Sequence, residues 1–127
     1  MAKVLGVGGV FFKANDPAAL CKWYSEHLNF ELDTGYDGAS FKPNDMPSGS
    51  LTVWSPFKRD TQYFEPSKND YMFNLIVDDL KEALVQVQAG GAQLNGEPEH
   101  FDYGSFGWFS DPEGNKVELW EPKAVDG

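Results

Sequence analysis

A carboxylate set among indole rings is the arrangement in this chain with the clearest chemical potential. Lys116-Val117-Glu118-Leu119-Trp120-Glu121-Pro122 alternates polar and apolar residues, and successive side chains of a strand point to opposite faces. Val117 and Leu119 then take the buried face and leave Glu118 and Trp120 on the other. The same pattern stands 66 positions earlier in Ser50-Leu51-Thr52-Val53-Trp54-Ser55-Pro56, which puts Thr52 and Trp54 on the corresponding face. Alternation adds Phe11 and Lys13 from the first strand segment, Met72, Asn74 and Ile76 from a later one, and Phe106 and Trp108 from the stretch before Asp111. An ionised Glu118 in such surroundings is destabilised unless a cation or a hydrogen-bond donor meets it. Lys13 is the nearest candidate by sequence. Two outcomes follow: Glu118 anchors an organic ligand or acts on one as a general base, or Lys13 or water merely satisfies the carboxylate while the rings pack a core.

Other chemistry-bearing residues are weaker candidates. His27 falls at a helix end and His100 in a polar loop. The latter pairs with Asp102 as an acid–base couple only through a special turn, since residues two apart do not ordinarily meet. Cys21 is the only cysteine, so an internal disulfide and a cysteine-rich zinc site are excluded, and its place on an amphipathic helix suits a core thiol. Tyr63, Phe64 and Tyr71, with Lys58 and Arg59, give residues 58–69 the character of a lid, a dimer contact or an ordinary solvated loop.

The elements that position these residues repeat. Val10-Phe11-Phe12 runs into Asp16-Pro17-Ala18-Ala19-Leu20, and Phe73-Asn74-Leu75-Ile76-Val77 runs into Asp79-Leu80-Lys81-Glu82-Ala83, 63 positions on. In each copy a strand leads to an aspartate N-cap, the first followed by proline where its missing N–H costs nothing. Leu20, Tyr24 and Leu28 line one helix face, flanked by Trp23 and His27; Leu80, Leu84 and Val87 line the other, which stops at Gly90-Gly91. Strands are expected at 4–12, 30–32, 39–41 and 51–54 in the first copy. The second copy repeats them at 73–77, 92–94, 104–109 and 116–120, with Asp111-Pro112-Glu113-Gly114-Asn115 as a tight turn. The reading is a single α+β domain over 1–127: module one about 1–57, a connector about 58–69 and module two about 70–123. The two tandem βαβββ modules form a curved mixed-sheet cup with helices on the outer face, because a second sheet face so rich in aromatics must be partly enclosed.

Length and charge narrow the function. A chain of 127 residues suits one domain. Ten basic against twenty acidic residues, a net charge of −10, repel nucleic acid and anionic membranes. No stretch is apolar or long enough for a signal peptide or a membrane span, so the expectation is a cytoplasmic protein.

Three segments together resemble the vicinal oxygen chelate superfamily: Trp23-Tyr24-Ser25-Glu26-His27-Leu28-Asn29-Phe30, Leu75-Ile76-Val77-Asp78-Asp79-Leu80, and Phe109-Ser110-Asp111-Pro112-Glu113-Gly114-Asn115-Lys116-Val117-Glu118-Leu119. That group holds glyoxalase I, bleomycin-resistance proteins, fosfomycin-resistance enzymes and extradiol dioxygenases. The resemblance implies a divalent metal held by side chains from the first and last strands of each module. The corresponding positions carry Gly9, Thr52, Met72 and Glu118. Only Glu118 is an ordinary hard ligand, so the expectation is a site without metal, a divalent metal being the alternative. The implied function is binding of a small organic molecule, aromatic or cationic, in the aromatic cup by a protein of bleomycin-resistance type. The alternative is a metal- or Glu118-dependent lyase, isomerase or dioxygenase. The family likeness also implies a homodimer. Glu118 is the candidate catalytic residue, and Phe11, Lys13, Trp54, Met72, Asn74, Phe106, Trp108 and Trp120 are the candidate ligand contacts.

Overall fold

A computed structural model describes residues 1–3, 5 and 7–123. Helix α1 spans Pro17–Leu28, and the Asp16 carboxylate caps it by accepting the Ala19 N–H at 3.0 Å. Helix α2 spans Leu80–Ala89 and is capped in the same way by Asp79, which accepts the Glu82 N–H at 3.0 Å. The duplicated aspartates thus do the same work, satisfying a backbone donor that the first turn leaves open. Asn29, in the left-handed conformation, ends α1, and Gly90-Gly91 ends α2, with Gly91 at φ +89°.

The strands are β1 (Phe73–Ile76), β2 (Gln93–Leu94), β3 (Glu99–Phe101), β4 (Gly104–Ser110) and β5 (Lys116–Pro122). Among the described residues they make one mixed, open sheet in the order β1-β5-β4-β2, with β3 also on β4. β1 runs parallel to β5, and the other pairs are antiparallel. Both helices cover one face. Leu20 and Tyr24 of α1, Leu80, Ala83, Leu84 and Val87 of α2, and Phe109, Val117 and Leu119 of the sheet form the buried core. Gly107 lies on this face, where a Cβ would stand 3.0 Å from Leu84 Cδ1; its bare backbone lets α2 approach the central strand. The fold is therefore α+β with an open curved sheet and helices outside.

Module one departs from the expectation of four strands. Val4 and Gly6 lie outside the described residues. Of the rest, only the isolated bridge Leu32↔Ala39 forms, and 7–12 and 51–54 join no sheet. In module two, β5 rests on the seven-residue strand β4, which contains no proline. In module one the stretch that follows the expected strand at 39–41 and precedes that at 51–54 has two prolines, Pro43 and Pro47, which cannot donate to a ladder, and it turns into a short 3-10 helix at Pro43–Asp45. Without that central strand, Val10 (62 % exposed), Val53 (68 %) and Trp54 (79 %) remain at the surface. No helix among the described residues is long and apolar enough to cross a membrane.

The Asp111–Asn115 turn joins the modules. The Asp111 carboxylate is buried and accepts four hydrogen bonds, from Tyr24 Oη (2.8 Å), Asn115 Nδ2 (2.9 Å) and the backbone N–H groups of Glu113 and Asn115 (2.9 Å each). Glu113 then accepts the N–H groups of Asn15 and Asp16 at 3.0 and 2.9 Å, which fixes the start of α1. Asn115 Oδ1 takes donors from Asn69 and Tyr71 at 2.9 and 3.0 Å, anchoring the end of the connector. The most specific motif in the sequence is thus a structural joint, and it stands on the helix side of the turn from Glu118.

Candidate functional site

Glu118 sits in the middle of β5, and its two cross-strand neighbours are Trp108 of β4 and Asn74 of β1. Both reach its carboxylate. Trp108 Nε1 donates to Oε2 at 2.8 Å, and Asn74 Nδ2 donates to Oε1 at 2.7 Å. A third donor comes from the connector, where Tyr63 Oη lies 2.6 Å from Oε2. The carboxylate is therefore met by three neutral donors. Lys13 is exposed and lines a different cleft, which corrects the expectation that it pairs with Glu118. The cause is the loss of the first strand: without a ladder, nothing carries Lys13 to the sheet face.

Lys116 lies on the same strand face as Glu118 and is buried. Its Nζ donates to the Tyr63 carbonyl oxygen at 2.6 Å and stands 5.0 Å from the Tyr63 ring centre and 5.9 Å from that of Trp108, within cation–π range. Burial lowers its pKa, and the nearby Glu118 charge partly opposes that. Tyr63 is shifted the other way. Burial, its hydrogen bond to Glu118 and the Glu118 charge all raise its pKa and keep the phenol protonated.

A cleft of about 280 Å³, open on one side, is lined by Tyr63, Glu99, Phe101, Tyr103, Phe106, Trp108 and Glu118. The β3–β4 hairpin supplies its aromatic wall. Phe101 and Tyr103 stack at 5.2 Å with 3° between planes, both edge-on to Phe106, which in turn stacks on Trp120 at 5.8 Å. The cleft offers flat apolar surface, two carboxylates and fixed donors, a set that suits a small planar molecule carrying donors or positive charge.

The nine sequence candidates separate in space. Glu118, Asn74, Phe106, Trp108 and Trp120 share one sheet face, with Phe106, Trp108 and Glu118 lining the cleft. Phe11 and Lys13 line another cleft of about 390 Å³ with Tyr71 and Phe73. Trp54 is exposed, and Met72 is half-buried, between those two aromatics in sequence. Lys116 was accessible to the same alternation argument, two positions before Glu118. Glu99, Phe101 and Tyr103 belong to a short hairpin wall that no periodicity marks.

The donor set does not fit a metal. Trp108 and Asn74 direct N–H groups at both carboxylate oxygens, and neither an indole N–H nor an amide N–H offers a lone pair. Among the described residues, no group of three or more His, Cys, Asp or Glu side chains is gathered to hold an ion.

Two helices over one face of an open mixed sheet, with a site on the other face, define a glyoxalase/bleomycin-resistance type of fold. Residues 9–120 match the family model of the glyoxalase-like domain, so the chain belongs to that family, within the vicinal oxygen chelate superfamily. Among solved structures, TnmS3, an antibiotic binding protein from Streptomyces sp. CB03234, superposes with TM-score 0.61 at 21% identity over 97% of this chain and all of that one. A protein from the mobile metagenome of V. Pseudocholerae gives 0.58 at 18% identity, covering 95% and 97% of the two chains. A glyoxalase/bleomycin resistance protein/dioxygenase superfamily member from Sphaerobacter thermophilus DSM 20745 gives 0.50 at 23% identity, covering 95% and 98%. These likenesses establish the fold. None of the curated proteins matches the chain.

Proposed function

We propose that this protein is a metal-independent binding module that holds a small planar aromatic compound, cationic or rich in hydrogen-bond donors, against Glu118. The observation that carries the reading is the pairing of an oriented carboxylate with the ring wall of Phe101, Tyr103, Phe106 and Trp108 in one open cleft. That an antibiotic binding protein shares the fold is consistent with sequestration or sensing of a small organic molecule. The partners of Glu118 are a phenol held protonated, an indole and an amide, so no nucleophile stands beside it, and anchoring is the role this set supports.

Benzamidine and benzamide, which differ in charge but hardly in shape, test the reading. Titration followed by tryptophan fluorescence is expected to show benzamidine bound more tightly. Glu118→Gln should weaken benzamidine by about ten- to a hundred-fold, the worth of one charge-assisted hydrogen bond, and leave benzamide nearly unchanged. Equal losses for both compounds, or no response to either by the folded protein, would remove the basis for the reading. The assembly belongs to the same proposal: the exposed apolar side chains of Val10, Phe11, Leu51, Val53 and Trp54 suit burial in a homodimer.

A further inference from the structure

Tyr63 enters the Glu118 cleft from the connector and makes there the contacts that a bound phenol would make. Its hydroxyl donates to Oε2 at 2.6 Å, its ring meets Trp108 edge-on at 6.3 Å, and its face lies over the Lys116 ammonium at 5.0 Å. The residue is nevertheless 41 % exposed, and its segment is tied down only at some points. Asn69 is fixed by Asn115, and Arg59 and Asp70 pair at the surface at 2.9 Å. Between them, the Tyr63 backbone is held by Lys116 and by its own N–H on Thr61 Oγ1 at 3.2 Å. Phe57 stacks on the Tyr63 ring at 5.8 Å. Consecutive turns add the hydrogen bonds Thr61 N–H to Lys58 O, Glu65 N–H to Gln62 O and Ser67 N–H to Phe64 O, and Phe57 also meets Phe64; the segment is a chain of turns without a sheet ladder. Trp108 and Asn74, by contrast, are locked in register with Glu118.

From this geometry we infer that Tyr63 is a built-in occupant of the site and sets its specificity: the ligand is a single-ring compound with a phenol-like donor that replaces the Tyr63 hydroxyl on Glu118 Oε2 as the connector tip moves aside. The inference rests on the reading of Glu118 as a ligand anchor. The physical consequence is competition. A site occupied by its own side chain binds with an apparent affinity reduced by the fraction of molecules in which it is open. The new hydrogen bond only replaces an old one, so a ring lacking a donor leaves Oε2 short of one partner and is rejected.

The probes are p-cresol and 4-methylanisole, which differ by that donor, read through the Trp108 indole N–H resonance. Tyr63→Ala empties the place and Tyr63→Phe keeps the ring while removing the hydroxyl; thermal melts check that both remain folded. Expected is a gain in affinity of about ten-fold for both probes in Tyr63→Ala and a smaller one in Tyr63→Phe, with p-cresol bound about ten-fold more tightly than 4-methylanisole in wild type and variants alike. Unchanged affinity for both probes in both folded variants overturns the inference, and so does equal affinity of the two probes, which would make Tyr63 a steric plug. If the wild-type protein still binds benzamidine through Glu118 in those cases, the anchor reading stands and only displacement fails. If it binds neither benzamidine nor p-cresol, both fall together.

Discussion

Removing the Asp111 carboxylate should cost more stability than any other single polar truncation in the molecule. Its four donors include Tyr24 Oη and Asn115 Nδ2, both on buried residues. In Asp111→Ala these two have no replacement acceptor and no ready access to water. A stranded buried donor costs about 1–3 kcal/mol, and the turn also loses the acceptor for two backbone N–H groups. The total expected is about 3–5 kcal/mol, a large share of the roughly 5–15 kcal/mol of a typical domain. Asp111→Asn retains one acceptor oxygen for the backbone pair but turns an amide toward the Asn115 donor, so an intermediate loss of about 1–3 kcal/mol is expected. Urea unfolding followed by circular dichroism measures this directly. At an m-value of about 2 kcal/mol per molar, Asp111→Ala should move the midpoint down by about 2 M with unchanged slope. A loss below about 1 kcal/mol would refute the view that this carboxylate holds the two modules together.

The other expectations concern Tyr24 and assembly. Burial, the Asp111 charge and the hydrogen bond to Asp111 raise the Tyr24 pKa well above its ordinary value, so the folded protein keeps a proton that the unfolded chain releases above about pH 10. This contribution is complete below pH 10 and lost as the pH rises beyond it; the stability difference between wild type and Tyr24→Phe should shrink there by up to about 1.4 kcal/mol per pH unit, and parallel pH profiles would count against it. Sedimentation at micromolar concentration should give a dimer of the 14.2 kDa chain, weakened by Phe11→Ser with Trp54→Ser; a clean monomer would sink that proposal.

Both helices were legible because their signals are local. Asp16 and Asp79 cap within three residues, and Leu80, Leu84 and Val87 recur at helical spacing into the core. Four of the five strands of module two were legible for the same reason, since residues such as Val117 and Leu119 alternate with Glu118 and Trp120 across a buried and an open face; β3 was not, and His100, read as part of a polar loop, lies within it because Glu99–Phe101 is too short and exposed to show alternation. The module-one strands were not, because the repeat in Leu51 to Trp54 says nothing about whether a central strand exists to pair with it. Pro43 and Pro47 decide that question, and they lie outside the repeated segment. Within the site, Trp108 and Asn74 follow from alternation once the register is known. The contact of Tyr63 with Glu118 joins residues 55 apart in sequence and depends on the path of an irregular connector, for which no periodicity exists.

The way Glu118 is supported bears on what the site is for. A catalytic carboxylate requires every group around it to be fixed before the reaction begins, since donors that must move forfeit the advantage of preorganisation. Here two donors are fixed by cross-strand pairing on either side of Glu118, one from each flanking strand. The third stands on a partly exposed loop residue and shares Oε2 with the fixed indole. A rigid pair keeps the carboxylate oriented whether or not the third donor is present, so exchanging that donor for a ligand leaves the oxygen in place and ready to accept. Such a division, with fixed partners on the strands and a replaceable one on the loop, is what reversible binding needs. The aromatic wall of the β3–β4 hairpin lines the same cleft as Tyr63, so under the proposed displacement a ring that takes the tyrosine's place would still have a flat surface to rest against.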